Sequence, residues 1–105
     1  MIRGTTPTLT FELPFECSLI DSLSIAFSQT PATYKPPELL LEKTLGDVAV
    51  SGSTITLTLS QEDTLKLDAA HDVEIQLRVL RGDTAMASQI IKTPVRRILR
   101  DGVLA

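Results

Sequence analysis

The 105-residue chain has no tryptophan, one cysteine, one histidine, one tyrosine and three phenylalanines. Each scarcity removes a class of function. Cys17 stands alone, so no intramolecular disulfide can hold the fold, and a reducing compartment is compatible with it. A structural zinc ion takes about four ligands, mostly Cys and His. Cys17 and His71 supply two between them, and no metal site is expected. No apolar run approaches the roughly 18 residues of a membrane span, so no membrane association is expected either. The opening "MIRGTTPTLT" has neither the apolar stretch nor the cleavage site of a secretory signal, and the expectation is synthesis in a cytoplasm. Sugar platforms are usually built from aromatic rings, and four aromatic side chains, two of them alternating into the expected core, leave little for one.

Charge is present but unevenly placed. Residues 78–101 hold six basic side chains against two acidic, a balance of +4, while the rest of the chain carries −7. Such a dipolar molecule suits head-to-tail or side-by-side docking. An acidic body with one short basic end lacks the broad basic surface of a nucleic-acid binder, so no nucleic-acid partner is expected. The length fits a single core.

Alternation of period two dominates what remains. "TLTFEL" sets Leu9, Phe11 and Leu13 on one face, "SLSIAFS" sets Leu23, Ile25 and Phe27, "TITLTLS" sets Ile55, Leu57 and Leu59, and "DVEIQLRV" sets Val73, Ile75, Leu77 and Val79. Side chains on a strand point alternately to opposite faces, so each segment has an oily and a wet side, as antiparallel half-buried strands do. "LLLEK" and "VAVS" add shorter strands, Gly52-Ser53 has the composition of a two-residue hairpin, and "MASQIIKT" forms the last strand. About seven short strands at near-regular spacing predict an all-β fold, an immunoglobulin-like antiparallel β-sandwich over residues 1–93. One helical turn, 60–66, interrupts it. Ser60 is placed as its N-cap and Asp63 completes a variant of the capping box. The proline-rich loop 29–38 is a stiff exposed connection that offers Tyr34 and Lys35 to a partner.

Residues 94–105 form a basic, apolar C-terminal tail in which Val95, Arg96, Arg97, Ile98, Leu99 and Arg100 are the candidate partner contacts. Apolar spacings of three and four predict either a helical turn that Gly102 terminates or an adaptable tail, lying on another subunit or folded back on its own sandwich.

Two motifs invite a sharper reading. Arg81-Gly82-Asp83 has the form of an adhesion signal. A hairpin that pairs Leu80 with Ala85, Val79 with Met86, Leu77 with Ser88 and Ile75 with Ile90 explains the same residues as a turn, with Arg81 and Asp83 as possible loop contacts. "DAAHD" puts His71 beside Asp68 and Asp72, the beginnings of a general base. No nucleophile elbow, phosphate-binding glycine loop or second histidine accompanies it, so the expectation is a loop histidine, no catalytic residue, no cofactor and no enzyme.

The segments "MIRGTTPTLTFELP", "LTLSQEDTLKL", "VEIQLRVL" and "SQIIKTPVRRILRDGVL", which are spread from one end of the chain to the other, resemble small virion proteins of prophages in Gram-positive bacteria. The layout is also similar to the immunoglobulin-like domain of some phage baseplate proteins. The resemblance implies a structural component of a tail or baseplate, made in the host cytoplasm and carried in the virion. Its implied partners are other virion proteins or further copies of itself in a ring. A receptor- or glycan-binding module on the particle, and a capsid decoration protein, are the alternatives.

Overall fold

A computed structural model describes residues 1–30 and 34–104. Residues 31–33 of the proline-rich loop and residue 105 of the tail lie outside the described residues. The strands are β1 (Thr8–Glu12), β2 (Ser22–Gln29), β3 (Glu38–Thr44), β4 (Ala49–Ser51), β5 (Thr54–Thr58), β6 (Val73–Arg81), β7 (Thr84–Ala87) and β8 (Ile91–Thr93). A helical turn, α1 (Gln61–Leu65), connects β5 to β6. All strand pairs are antiparallel and fall into two sheets, β1-β5-β4 and β3-β2-β6-β7, with β8 also paired to β6.

The alternation read in the sequence is what joins the sheets. Leu23, Ile25 and Phe27 of β2 and Val73, Ile75, Leu77 and Val79 of β6 face inward, where they meet Ile55, Leu57 and Leu59 of the smaller sheet. Ile25, Phe27 and Ile55 are fully buried. Each such side chain contributes about 1.5–3 kcal/mol by leaving water. The pairing is that of an immunoglobulin-like sandwich in which the small sheet supplies the B, E and D strands and the large one C′, C, F and G. Residues 1–3 run beside the tail, through a parallel bridge between Ile2 and Arg96.

Three details differ from the sequence reading. Leu40 is an extra residue opposite the Phe27/Ser28 step, so the register shifts and Leu39 turns outward while Leu41 turns in. The last expected strand is two strands. Val79 pairs with Met86 and Leu80 with Ala85 as expected, but Ile75 pairs with Ile91 and not with Ile90. The cause is Ser88, whose hydroxyl accepts the Leu77 N–H at 3.0 Å while its own N–H donates to Leu77 O at 2.8 Å. The side chain thus replaces a ladder carbonyl, and the strand shifts by one residue, leaving Ile90 57% exposed. Gln29, expected in a loop, ends β2 and is buried. Its amide donates to the carbonyls of Asp68 and His71 and accepts the Asp68 N–H, so it pins the loop that leads into β6.

The helical turn forms by the expected capping box. Asp63 N–H donates to Ser60 Oγ at 3.1 Å, and Ser60 N–H donates to Asp63 Oδ2 at 3.0 Å. Lys43 of β3 reaches the same carboxylate at 3.0 Å. Burial pushes the Asp63 carboxyl up, but the Ser60 N–H and the Lys43 ammonium outweigh it and hold its pKa below the ordinary 3.8. A carboxylate depressed in the folded state stabilises the fold above its unfolded pKa and loses that effect as the pH falls through the folded value. Asp63→Asn is therefore expected to lower stability by about 1–2 kcal/mol at neutral pH. Denaturant titrations should show the gap between variant and wild type narrowing below about pH 4.

Candidate functional site

The sequence-derived contact residues fall into two groups at opposite ends of the sandwich. β2 and β6 pair from Ser22↔Leu80 to Ser28↔Glu74. The loop bearing Tyr34 and Lys35 therefore follows the Glu74 end of β6, and Arg81-Gly82-Asp83 lies beyond the Leu80 end. Tyr34 is 84% exposed, with the Lys35 ammonium 6.0 Å from its ring centre.

The Arg-Gly-Asp tripeptide forms a tight hairpin. Arg81 pairs with Thr84, and Gly82 takes φ +59°, a conformation that glycine adopts without penalty. The carboxylate that secures this turn comes from elsewhere in the chain: Gly82 N–H donates to Asp21 Oδ2 at 2.7 Å. The Arg81 guanidinium lies over the Phe15 ring, 5.0 Å from its centre.

The tail folds back on its own sandwich, one of its two expected placements. Val95 is buried in the core. Arg96 N–H donates to Met1 O at 2.7 Å, Arg3 N–H donates to Arg96 O at 3.0 Å, and the N-terminal ammonium donates to Pro94 O at 2.7 Å. Residue 96 thus spends both backbone groups on residues 1–3, and extended pairing takes the place of the expected helical turn. Ile98 packs against Gly4, where an added Cβ would sit 2.9 Å from Ile98 Cδ1. Asp101 pairs with Arg3, which also donates to the carbonyls of Leu65 and Leu67. Leu104 exchanges two hydrogen bonds with the Gln61 side chain. What this anchoring leaves outside is specific: Arg96, Arg97 and Arg100 are exposed, and Leu99 is 96% exposed.

His71 precedes β6 and is half-buried, its Nε2 3.8 Å from Asp68 Oδ2. Its backbone is committed to the loop, since His71 N–H donates to Asp68 O and His71 O accepts from Gln29. Among the described residues no group of three or more His, Cys, Asp or Glu side chains is arranged to hold a metal ion.

A feature absent from the sequence reading lies along the β1 edge. Pro7 O accepts from Leu59 N–H and Leu13 N–H donates to Ser53 O, so the odd-numbered residues of this strand bond to β5. In an antiparallel pair the intervening residues point their backbone groups the other way. Thr8, Thr10 and Glu12 therefore present theirs outward at the end of a sheet that stops there. Past the Glu12 end of β1 lies a groove of about 350 Å³, walled by residues 12–15 and floored by Leu77, Val79 and Met86. Leu13 and Phe15 line it and are half-buried, as are Leu9 and Phe11 in the edge strand itself. The alternation of "TLTFEL" marked Leu9, Phe11 and Leu13 as inward-facing, but not that they would remain half-buried.

Fold and surface together define an immunoglobulin-like β-sandwich with two projecting hairpins, an apolar-basic tail and an open strand edge. No protein-family model matches this chain, and no curated protein sequence matches it.

Cys17 is 4% exposed, and burial first, then the Glu16 and Glu12 carboxylates, push its thiol up. The thiolate is the reactive form, so the native protein should consume almost no aromatic disulfide reagent at neutral pH and one equivalent once denaturant is added. Rapid labelling of the folded chain would contradict this placement.

Proposed function

We propose that the chain is a non-enzymatic structural component of a bacteriophage tail, at its baseplate, acting through protein–protein contacts as repeated copies in a ring or as a spacer between larger subunits. The observation that carries this reading is the form of the tail. Val95 and Ile98 anchor it to the sandwich, and Leu99 is held 96% exposed among Arg96, Arg97 and Arg100. An apolar side chain held in water among arginines offers a partner an apolar contact flanked by arginine, one of the residue types that carry most of the affinity at interfaces. The rest of the fold suits a rigid building block. Two packed sheets, a capped turn and a tail tied to residues 1–3 leave surface contact as its means of action. The likeness of "SQIIKTPVRRILRDGVL" to prophage virion proteins points the same way, and the carboxylates that would meet the arginines belong to neighbouring subunits.

Removing everything after Thr93 would also remove Val95 from the core, so the test uses point changes outside it. Leu99→Asp, alone or with Arg97→Glu and Arg100→Glu, is expected to leave the circular dichroism spectrum and melting temperature unchanged. Incorporation into particles, measured by quantitative blotting of purified virions, should fall by about tenfold or more, a loss of about 1.4 kcal/mol or greater at the contact. Wild-type incorporation of the folded triple variant would refute the docking role.

A further inference from the structure

The outer face of the large sheet meets water, and alternation gives such a face polar and small side chains. At its Glu74 end two large apolar residues break that pattern. The bulge at Leu40 sets Leu39 opposite Ser28, and the shift at Ser88 brings Ile90 out to the same face, leaving each 57% exposed. A recess of about 80 Å³ lies there, lined by Ala26, Ser28, Glu74, Gln76 and Ile90. Ligand pockets run to roughly 300–1,000 Å³, so this one has room for a single aliphatic side chain and little more. On its β3 side, Glu42 stands opposite Ala26 and Glu38 precedes Leu39, both exposed.

We propose that this recess receives Leu99 from the tail of a second copy of the chain, with Arg97 and Arg100 meeting Glu42 and Glu74. The proposal rests on the reading of the tail as a contact surface and names the surface that the tail contacts. The tail keeps its place on its own chain. Ile98 stays against Gly4 and Asp101 stays paired with Arg3, while Leu99 between them projects almost wholly into water. Charge supports the choice of occupant. Around the recess stand Glu38, Glu42 and Glu74, with Lys92 across from Glu74, and Arg78 lies farther along β6, opposite Ser24. The tail carries Arg96, Arg97 and Arg100, and its one acid, Asp101, is engaged by Arg3. Three acids and one base thus meet three bases. Exposure supports it as well, since Leu99 on one copy and Leu39 and Ile90 on the other would leave water in a single contact.

Donor and acceptor are different surfaces of one molecule, so every copy that offers Leu99 also offers a recess. The contact is therefore made twice within a two-fold pair, or repeats from copy to copy and closes into a ring when the rotation between copies permits. One apolar side chain and two exposed ion pairs make a weak contact taken singly. Repetition around a closed assembly strengthens it without any new interaction.

The test uses the full-length chain and sedimentation velocity over a series from micromolar to millimolar concentration. Wild type is expected to rise above the monomer mass as concentration grows. Glu42→Lys with Glu74→Lys makes recess and tail both basic, and Arg97→Glu with Arg100→Glu makes both acidic, so each double variant should stay monomeric with unchanged circular dichroism. Mixing the two should restore association, because each then offers the charge that the other lacks. Ala26→Leu fills the recess with the charges in place and should weaken association about tenfold or more, as should Leu99→Asp. If Ala26→Leu and the Glu42→Lys, Glu74→Lys variant assemble like wild type while Leu99→Asp does not, the recess is the wrong site and the tail reading stands. If wild type is monomeric throughout, a second copy is the wrong occupant and the proposal falls. Particle incorporation of Leu99→Asp then decides separately whether the tail has another partner.

Discussion

Ile25 and Phe27 from one sheet and Ile55 and Leu57 from the other are almost wholly withdrawn from water, and the rest of the molecule is arranged around keeping them so. Because successive side chains on a strand point to opposite faces, burying these four fixes the orientation of their neighbours. Ser24, Ala26 and the threonines of β5 are turned outward by the same geometry that turns the isoleucines in. A slip of one residue in either central pair would exchange the two sets, which is why the β2–β6 register runs without interruption over seven residue pairs.

The ends of the sandwich are closed by polar devices. At one end, Asp63 caps α1 and takes Lys43 from the opposite sheet, so one carboxylate ties a crossing turn to β3. Gln29 does comparable work for the loop before β6, satisfying three of its backbone groups from a buried side chain. At the other end, Asp21 secures the Gly82 turn. These bonds explain why the residues most suggestive of chemistry, the Arg-Gly-Asp tripeptide and the "DAAHD" loop, are bound up in holding the backbone.

What the closure leaves open is informative. Residues 1–3 hold the tail against the sandwich, and the tail so held presents Leu99 to solvent. The surface thus carries an apolar projection as well as the apolar groove beside Phe15.

Local order was legible in the sequence because it arises locally. Alternation named the strands, the Ser60 and Asp63 spacing named the capped turn, and glycine positions named two hairpins. The coverage of a face was not legible. Phe11 and Phe27 stand in equivalent alternating patterns, yet Phe27 is fully buried and Phe11 is not, because Phe27 lies on a strand flanked by β3 and β6 and Phe11 on the edge strand β1. Ser88 gave no sign that its hydroxyl would replace a ladder carbonyl and shift Ile90 outward. Nor did Gln29, a polar residue beside a proline-rich loop, show that it would be buried by contacts about 40 residues away. Period and capping depend on neighbours three or four residues apart, and the chain carries that information in its order. Burial, register and the open edge depend on which strands stack, a choice made by the whole core at once, and only the tertiary structure decided them.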